Sequence, residues 1–390
     1  MIPMRLFFRI LRWFGMGIAL FLILFLLWFY LRYGGTGGAF TDVSTPARWP
    51  SDSLIRVATL PEAPGNIAVS KEGRIFATYH AEGRPAIKVW ELVDGKPQAF
   101  PDERWQSEAN GPVFLDAIFN VRIDAQNRLW TLDHGQNGFK TPRLLCFNID
   151  TRQLVHQIDL PKDICGPGSY IQDMQIDTAC EKIYIADLSA FGQTPALVIV
   201  DIASKTCRRV LEKHISVMPE GAYKVVNKGR EMRPAGPLYH FHPAVDPIAL
   251  DRKNEYLYFG PMSGSQMYRA KVSDLNNSAL SAAELAARVE PYARRGQCDG
   301  ITMDQDNNLY MSDIEKGAIT VLDSARRYFT LVSHPDMRWP DGMSFGPDGY
   351  IYVTDSDIPD VMLKSRQHMA DNAPYYLWKF RALAPAAAGQ

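Results

Sequence analysis

The stretch Asp299-Gly-Ile-Thr-Met-Asp-Gln-Asp-Asn-Asn-Leu-Tyr-Met-Ser-Asp313 joins an acidic residue, an apolar segment, a turn of Asp and Asn, and a second segment carrying Tyr310. Five other stretches repeat it. They begin at Asn66, Asn120, Asp173, Asp246 and Asp341 and place Phe76, Trp130, Tyr184, Tyr258 and Tyr352 at the matching position. Asp, Asn and Gly accept tight-turn backbone and bond their own main chain, so each copy predicts a hairpin. Third strands follow at 87–91, 144–148, 197–201, 267–271, 319–322 and 376–380, with fourth strands at 154–158, 207–211 and 328–332. Units of this size cannot bury their apolar faces alone. Six in series predict a closed radial array, an all-β six-bladed β-propeller over residues 54–381. The sixth copy stops at its third strand, while 54–60 precedes the first copy without a sheet of its own. That N-terminal strand is expected to complete blade six and remove an exposed edge.

Outside the repeats, Trp13 to Leu31 carries no charge. At about 1.5 Å per residue it is long enough to cross an apolar core of about 30 Å. Arg5, Arg9 and Arg12 precede it and only Arg32 follows closely, an asymmetry that keeps the N-terminus cytoplasmic and the propeller outside. A cleaved signal peptide is the rival, since Gly34 to Ala39 is rich in small residues, and cleavage would make the propeller a secreted protein. The apolar run is longer than a signal core and lacks a clear cleavage site. The expected organisation is a signal anchor at 1–33, a flexible tether at 34–53, the propeller, and a disordered tail at 382–390. With 22% charged residues and a net charge of −1, no basic surface points to nucleic acid. Five cysteines without metal-ligand spacing are expected as apolar core residues, with one bridge allowed and at least one thiol unpaired.

Strand order sends the starts of the first strands and the ends of the second strands to one face, the mouth. Two Asn and four Asp would converge there. Carboxylates about 4 Å apart repel by several kcal/mol at an effective dielectric near 20, so they must spread out, share protons or bind a cation. An all-oxygen set of Asn66, Asn120, Asp173, Asp246 and Asp299 suits a divalent cation, calcium first, with magnesium or manganese as alternatives. The competing expectation is structural, since Asp and Asn at strand starts often bond nearby backbone N–H groups. In a metal-assisted hydrolysis, Asp299 or Asp341 would take the proton from a metal-bound water. His80 and His134 occupy equivalent rim positions, and His240 and His242 lie in the long 211–245 connection, so these four are candidate ligand contacts. Asp133, Asp187, Asp313 and Asp355 end second strands and are expected to cap loops. The 211–245 and 356–374 connections are candidate lids. No G-x-S-x-G elbow, phosphate loop or dinucleotide fingerprint is present.

The segments Ala86-IKVWEL, Leu129-WTLDHG, Tyr170-IQDMQID, Ile183-YIADLS, Asp246-PIAL, Leu257-YFGPMSG and Trp339-PDGMSFGPDGYIYV resemble, in order and spacing, the Yellow/major royal jelly protein family. The resemblance covers about residues 55–380. It implies a six-bladed propeller, usually secreted, with dopachrome conversion, small-amine binding or a nutrient role in different members, and no shared catalytic motif. A more distant likeness is to the gluconolactonase/senescence marker propellers, which hold a divalent metal and hydrolyse sugar lactones. Their first-blade Glu corresponds to Asn66, their Asn and Asp ligands fall among Asn120, Asp173, Asp246 and Asp299, and their proposed base corresponds to Asp299. Three classes therefore stand side by side: a metal-dependent lactonase or esterase-like hydrolase, a binding protein or isomerase for small amines or aromatics, and a protein-interaction platform.

Overall fold

A computed structural model describes residues 4–34, 38–189, 193–221 and 223–389. Six four-stranded antiparallel sheets surround one axis. Blade one pairs Pro64–Val69, Ile75–Tyr79, Val89–Val93 and Lys96–Ala99. Blade two pairs Ile118–Ile123, Arg128–Asp133, Arg143–Asn148 and Leu154–Asp159. Blade three uses Ile171–Ile176, Lys182–Asp187, Ala196–Asp201 and Cys207–Val210. Blade four uses Val245–Leu250, Tyr256–Pro261, Gln266–Lys271 and Glu290–Arg294. Blade five uses Cys298–Met303, Leu309–Asp313, Ala318–Leu322 and Tyr328–Ser333. Blade six takes Pro340–Phe345, Tyr350–Asp355 and Tyr375–Arg381, and Ile55–Leu60 pairs with the last of these as its outer strand. The expected closure is formed, and no sheet edge is left between the chain ends.

Burial explains the order of strands. First strands are buried along their whole length in five blades, as in Pro64–Val69 and Ile118–Ile123, with only Gln172 of blade three part-exposed, whereas the fourth strands Lys96–Ala99 and Leu154–Asp159 are half-exposed. Neighbouring first strands are tied by inward polar groups: Val69 N–H donates to Ser344 Oγ at 3.0 Å, and Gln175 Nε2 donates to the Ile248 carbonyl at 2.8 Å. At the opposite end the hairpin turns of blades two to six are locked by an acidic residue, and that of blade one by Ser70. Asp124 accepts from the Gln126 and Arg128 backbone and from Trp130 Nε1, and Asp304 accepts from the Asn308 backbone and the Tyr310 hydroxyl. In blades two, five and six the repeated aromatic, Trp130, Tyr310 or Tyr352, therefore packs in the core and also anchors the turn below it. All five cysteines are free thiols, four of them buried.

Two segments are held more firmly than expected. From residue 38 onward the tether is docked: Gly38 bridges Tyr223, the Phe40 ring lies 4.1 Å from that of Tyr223, and Lys316 pairs with Asp42 at 2.9 Å. Arg48 and Trp49 N–H groups then donate to the Thr330 and Leu331 carbonyls on the outer strand of blade five. Residues 35–37 lie outside the described residues. The tail is likewise fixed, because its backbone finds partners: Ala382 bonds Gly349, Gln305 bonds the Pro385 carbonyl, and Gly389 bonds Phe345 and Ile123. It crosses the end of the channel opposite the mouth.

Candidate functional site: a two-tiered well under an aromatic cavity

Every first strand slips register against its partner at the same place, between Pro64 and Ile67 in blade one and between Cys298 and Ile301 in blade five, for example. These bulges admit one extra residue. Aligned on the strand starts, the expected single ring separates into two tiers. The upper tier, toward the mouth, is Gly65, Phe119, Gln172, Asp246, Asp299 and Asp341. The lower tier is Asn66, Asn120, Asp173, Pro247, Gly300 and Gly342. The turns show why: Asn66, Asn120 and Asp173 stand four residues before Ser70, Asp124 and Asp177, while Asp246 and Asp299 stand five before Asp251 and Asp304. A one-residue offset in a strand changes what a side chain faces. Gly342 is required where blades six and one meet, since a Cβ there would lie 2.8 Å from Asn66 Cα.

The lower tier is closed by its own hydrogen bonds. Asn120 Nδ2 and Asn66 Nδ2 both donate to Asp173 Oδ1, at 2.6 and 3.3 Å. Beneath them the buried Arg122 guanidinium donates from Nη1 to Asn66 Oδ1 at 3.0 Å and to the Ile67 carbonyl at 3.3 Å. Burial raises the Asp173 carboxyl to about 6, against the pull of Arg122 and Asn120. The propeller thus carries a built-in cation below its acidic residues.

The upper tier is different. Asp299 Oδ2 accepts from Trp339 Nε1 at 2.6 Å, and burial lifts its carboxyl to about 7, with the Asp173 charge adding to the rise. Asp246 is 0% exposed, and neither of its oxygens accepts from any donor. Burial first, and then the charges of Asp299, Asp173 and Asp341, hold it well above the ordinary carboxylate range, with Asp299 as its hydrogen-bond neighbour. Burial also raises Asp341 well above its usual value, with Asp299 and Asp173 adding to the effect. Carboxyls raised together in this way are those that relieve their repulsion by sharing protons.

The five expected metal ligands do not form one shell. Asn66, Asn120 and Asp173 satisfy one another and Arg122 in the lower tier, while Asp246 and Asp299 lie above. Among the described residues no three His, Cys, Asp or Glu side chains are grouped to hold a metal ion. The set does not fit a single ion, although Asn120 Oδ1 and both Asp246 oxygens remain without donors.

Above Asp299 lies a cavity of about 290 Å³. Its walls are Phe119, Tyr170 and Trp339 from the blades, Tyr239, Phe241 and His242 from the 211–244 connection, and Ile358, Met362 and Leu363 from the 356–374 connection. Both long connections therefore cover the mouth. Phe119 packs against His80, His134 and Tyr170 with ring centroids 5.4, 4.7 and 5.2 Å apart. The Tyr170 hydroxyl donates to Glu82 Oε1 at 2.8 Å, bracing blade three against blade one.

A match to the family described as "Major royal jelly protein" covers residues 117–384. The chain belongs to the major royal jelly protein family. Major royal jelly protein 6 of Apis mellifera is 26% identical over 183 residues, 44% of this chain and 39% of that protein. Protein yellow of Drosophila pseudoobscura pseudoobscura is 25% identical over 138 residues, 30% of this chain and 25% of its own length. The matched stretches thus span about two-fifths or less of these relatives. Among solved structures, a calcium-binding regucalcin from Agrobacterium tumefaciens aligns with a TM-score of 0.54 at 12% identity, covering 86% of this chain and 95% of its own. A gluconolactonase from Xanthomonas campestris aligns at 0.53 and 13%, covering 84% and 88%. At these identities the likeness is one of fold.

Within this royal jelly-type propeller the four expected histidines separate. His80 and His242 line the cavity, and His134 lines a neighbouring groove. His240 turns away to Glu231 at 3.0 Å. His80 Nδ1 accepts from Glu82 N–H and His134 Nδ1 from Asn137 N–H, leaving Nε2 to carry the proton. Burial drops these imidazoles to about 3 and about 4, so both are neutral ring walls at physiological pH and not bases in waiting. The second-strand aspartates cap the mouth loops: Asp187 accepts from Tyr170 and Ser189 N–H, and Asp355 from Arg338 and Trp339 N–H. They set the cavity walls without entering it. Sequence reasoning missed Phe119, Gln172, Tyr170, Trp339 and Arg122. The turn acids, used as the alignment mark instead of the strand-start acids, would have placed Phe119 and Gln172 level with Asp299.

Proposed function

We propose that this protein is an extracytoplasmic, membrane-anchored propeller whose mouth cavity binds a small molecule joining an aromatic or apolar body to a protonated amine. One observation carries the proposal: Asp299 lines the floor of an aromatic-walled cavity, and behind it stands a fully buried carboxyl, Asp246, without a donor to either oxygen. An ammonium group supplies the missing donors and positive charge, while aromatic faces attract the same cation and its apolar body. The family resemblance, which includes amine binders, supports it. The helix Met4–Tyr33, long and apolar enough to cross a membrane, supports the anchor.

Titration calorimetry with phenethylamine and its hydroxyl analogue, phenethyl alcohol, tests the proposal. The amine is expected to bind and the alcohol to bind at least tenfold more weakly, since one unmatched buried charge-assisted bond is worth about 1.5–3 kcal/mol. Equal binding of both, or of neither, overturns it. A second reading rests on Asp299 alone. A carboxyl near 7 that lines a cavity is poised for general-base work, as in hydrolysis of a lactone or a proton-shifting isomerisation. Turnover of lactones, lost in Asp299→Asn, would favour that reading over simple binding.

A further inference from the structure

Along the N-terminal helix every described residue is exposed except Phe29 and Tyr33, which are half-buried and four residues apart on one face. Phe29 lines the cavity. The Tyr33 carbonyl accepts from His240 N–H at 2.9 Å and its hydroxyl from Gln193 Nε2 at 2.8 Å, both on connections at the mouth. A few residues later the chain is fixed again where Phe40 stacks on Tyr223. The helix therefore leaves from the mouth itself and is held there on both sides.

Phe29 is also two residues from Leu31, the end of the uncharged run, or about 3 Å along the axis. If that run crosses a membrane, the cavity wall stands at the edge of the hydrocarbon. A second observation agrees. Beyond the helix, the most exposed large hydrophobic side chains among the described residues are Phe139 at 71%, Ile215 at 70% and Leu363 at 66%. They belong to three different loops, in blade two, between blades three and four, and in blade six, all on the mouth face; Leu363 also lines the cavity. Scattered exposed apolar residues are ordinary, but these three stand on the one face from which an apolar helix departs, where lipid would cover them.

We propose that the mouth face of the propeller rests on the bilayer and that its cavity opens at the lipid–water boundary. Its ligand is a membrane-partitioned amphiphile: an ammonium head reaches Asp299 at the floor, with Asp246 behind it, and an apolar chain leaves past Phe29 and Leu363. This rests on the anchor and on the amine site proposed above.

The test uses the full chain in phosphatidylcholine vesicles, with Cys207→Ser to remove the one half-buried thiol. An environment-sensitive fluorophore is attached at Ile215→Cys, at Leu363→Cys, or at Leu154→Cys on the far side. Doxyl-labelled lipids are expected to quench the first two several-fold more than the third, and aqueous iodide to show the reverse order. Similar quenching at all three sites, in protein that floats with vesicles after an alkaline carbonate wash, overturns the inference while the anchor stands. Protein that fails to float overturns both. For the ligand, octadecylamine carrying a chain-end diazirine is dissolved in the same vesicles. Light is expected to label peptides containing Phe29 or Leu363, and Asp299→Asn to abolish the labelling. Labelling unaffected by Asp299→Asn, when the native chain binds soluble phenethylamine and the variant does not, overturns the lipid route and leaves the amine site intact.

Discussion

Replacing Asp299 with Asn is expected to make the protein more stable, by an amount that depends on pH. Asp299 is buried, and its carboxyl is raised from 3.8 to about 7 chiefly by that burial. An acid raised in the folded state is ionised at a cost. The cost is absent below the unfolded value near 4, grows as pH rises toward 7, and is full above it. At about 1.36 kcal/mol per pH unit, it amounts to about 1.6 kcal/mol at pH 5 and about 4 kcal/mol at pH 8. Asparagine avoids it. The amide oxygen can still accept from Trp339 Nε1, and the amide N–H₂ can donate to Asp246, whose oxygens lack donors. With an unfolding entropy of about 2 cal/mol/K per residue, the melting temperature of the variant should exceed that of the native chain by roughly 6 °C at pH 8 and by roughly 2 °C at pH 5. Paired thermal scans at the two pH values measure this, and taking the difference cancels the opposite pH dependence of the buried histidines. An equal or lower melting temperature at pH 8, or a difference independent of pH, would refute the reasoning. Amine binding should be lost in the same variant, the usual exchange of stability for function at a site.

Arg122→Met should destabilise the chain by about 3–5 kcal/mol, because it leaves the Asp173 carboxylate buried beside two amides and no cation. The double change with Asp173→Asn should recover part of that loss in urea titrations. Ring-proton NMR of His80 and His134 should show no titration between pH 5 and 8, since burial holds them at about 3 and about 4; a midpoint near 6.5 would mean that these rings are solvated. EDTA followed by calcium should leave the melting temperature unchanged, because Arg122 already supplies the positive charge of the lower tier; a reversible calcium-dependent rise would place an ion at the orphaned Asn120 and Asp246 oxygens.

The fold was legible in the sequence because its cause is local and repeated. A strand-start polar residue, a short polar turn and a core aromatic recur in each blade, and the unpaired 54–60 segment found its sheet in blade six. The site was legible only in outline. All six Asn and Asp lie at the starts of the first strands, but a one-residue difference in their distance from the turn splits them between tiers, and aligning the repeats on those acids themselves hides it. Arg122 stood in plain view as Asn120-Val-Arg122, yet its inward aim follows from strand alternation counted past the bulge. The histidines were read by residue type, whereas their solvation, a property of packing, determines their charge. The tether and tail look like linkers by composition and are ordered by backbone hydrogen bonds that no composition predicts.

The most direct measurement is calorimetric titration of phenethylamine at pH 7 in two buffers of different ionisation enthalpy. An ammonium arriving between Asp246 and Asp299 lowers both carboxyl pKa values, so about one proton should leave per amine bound, and affinity should rise with pH up to the range in which the site is ionised. Saturable binding with proton release is the expected result. Binding without proton release, or no binding at any pH from 6 to 8, would contradict an amine site built on these two carboxyls.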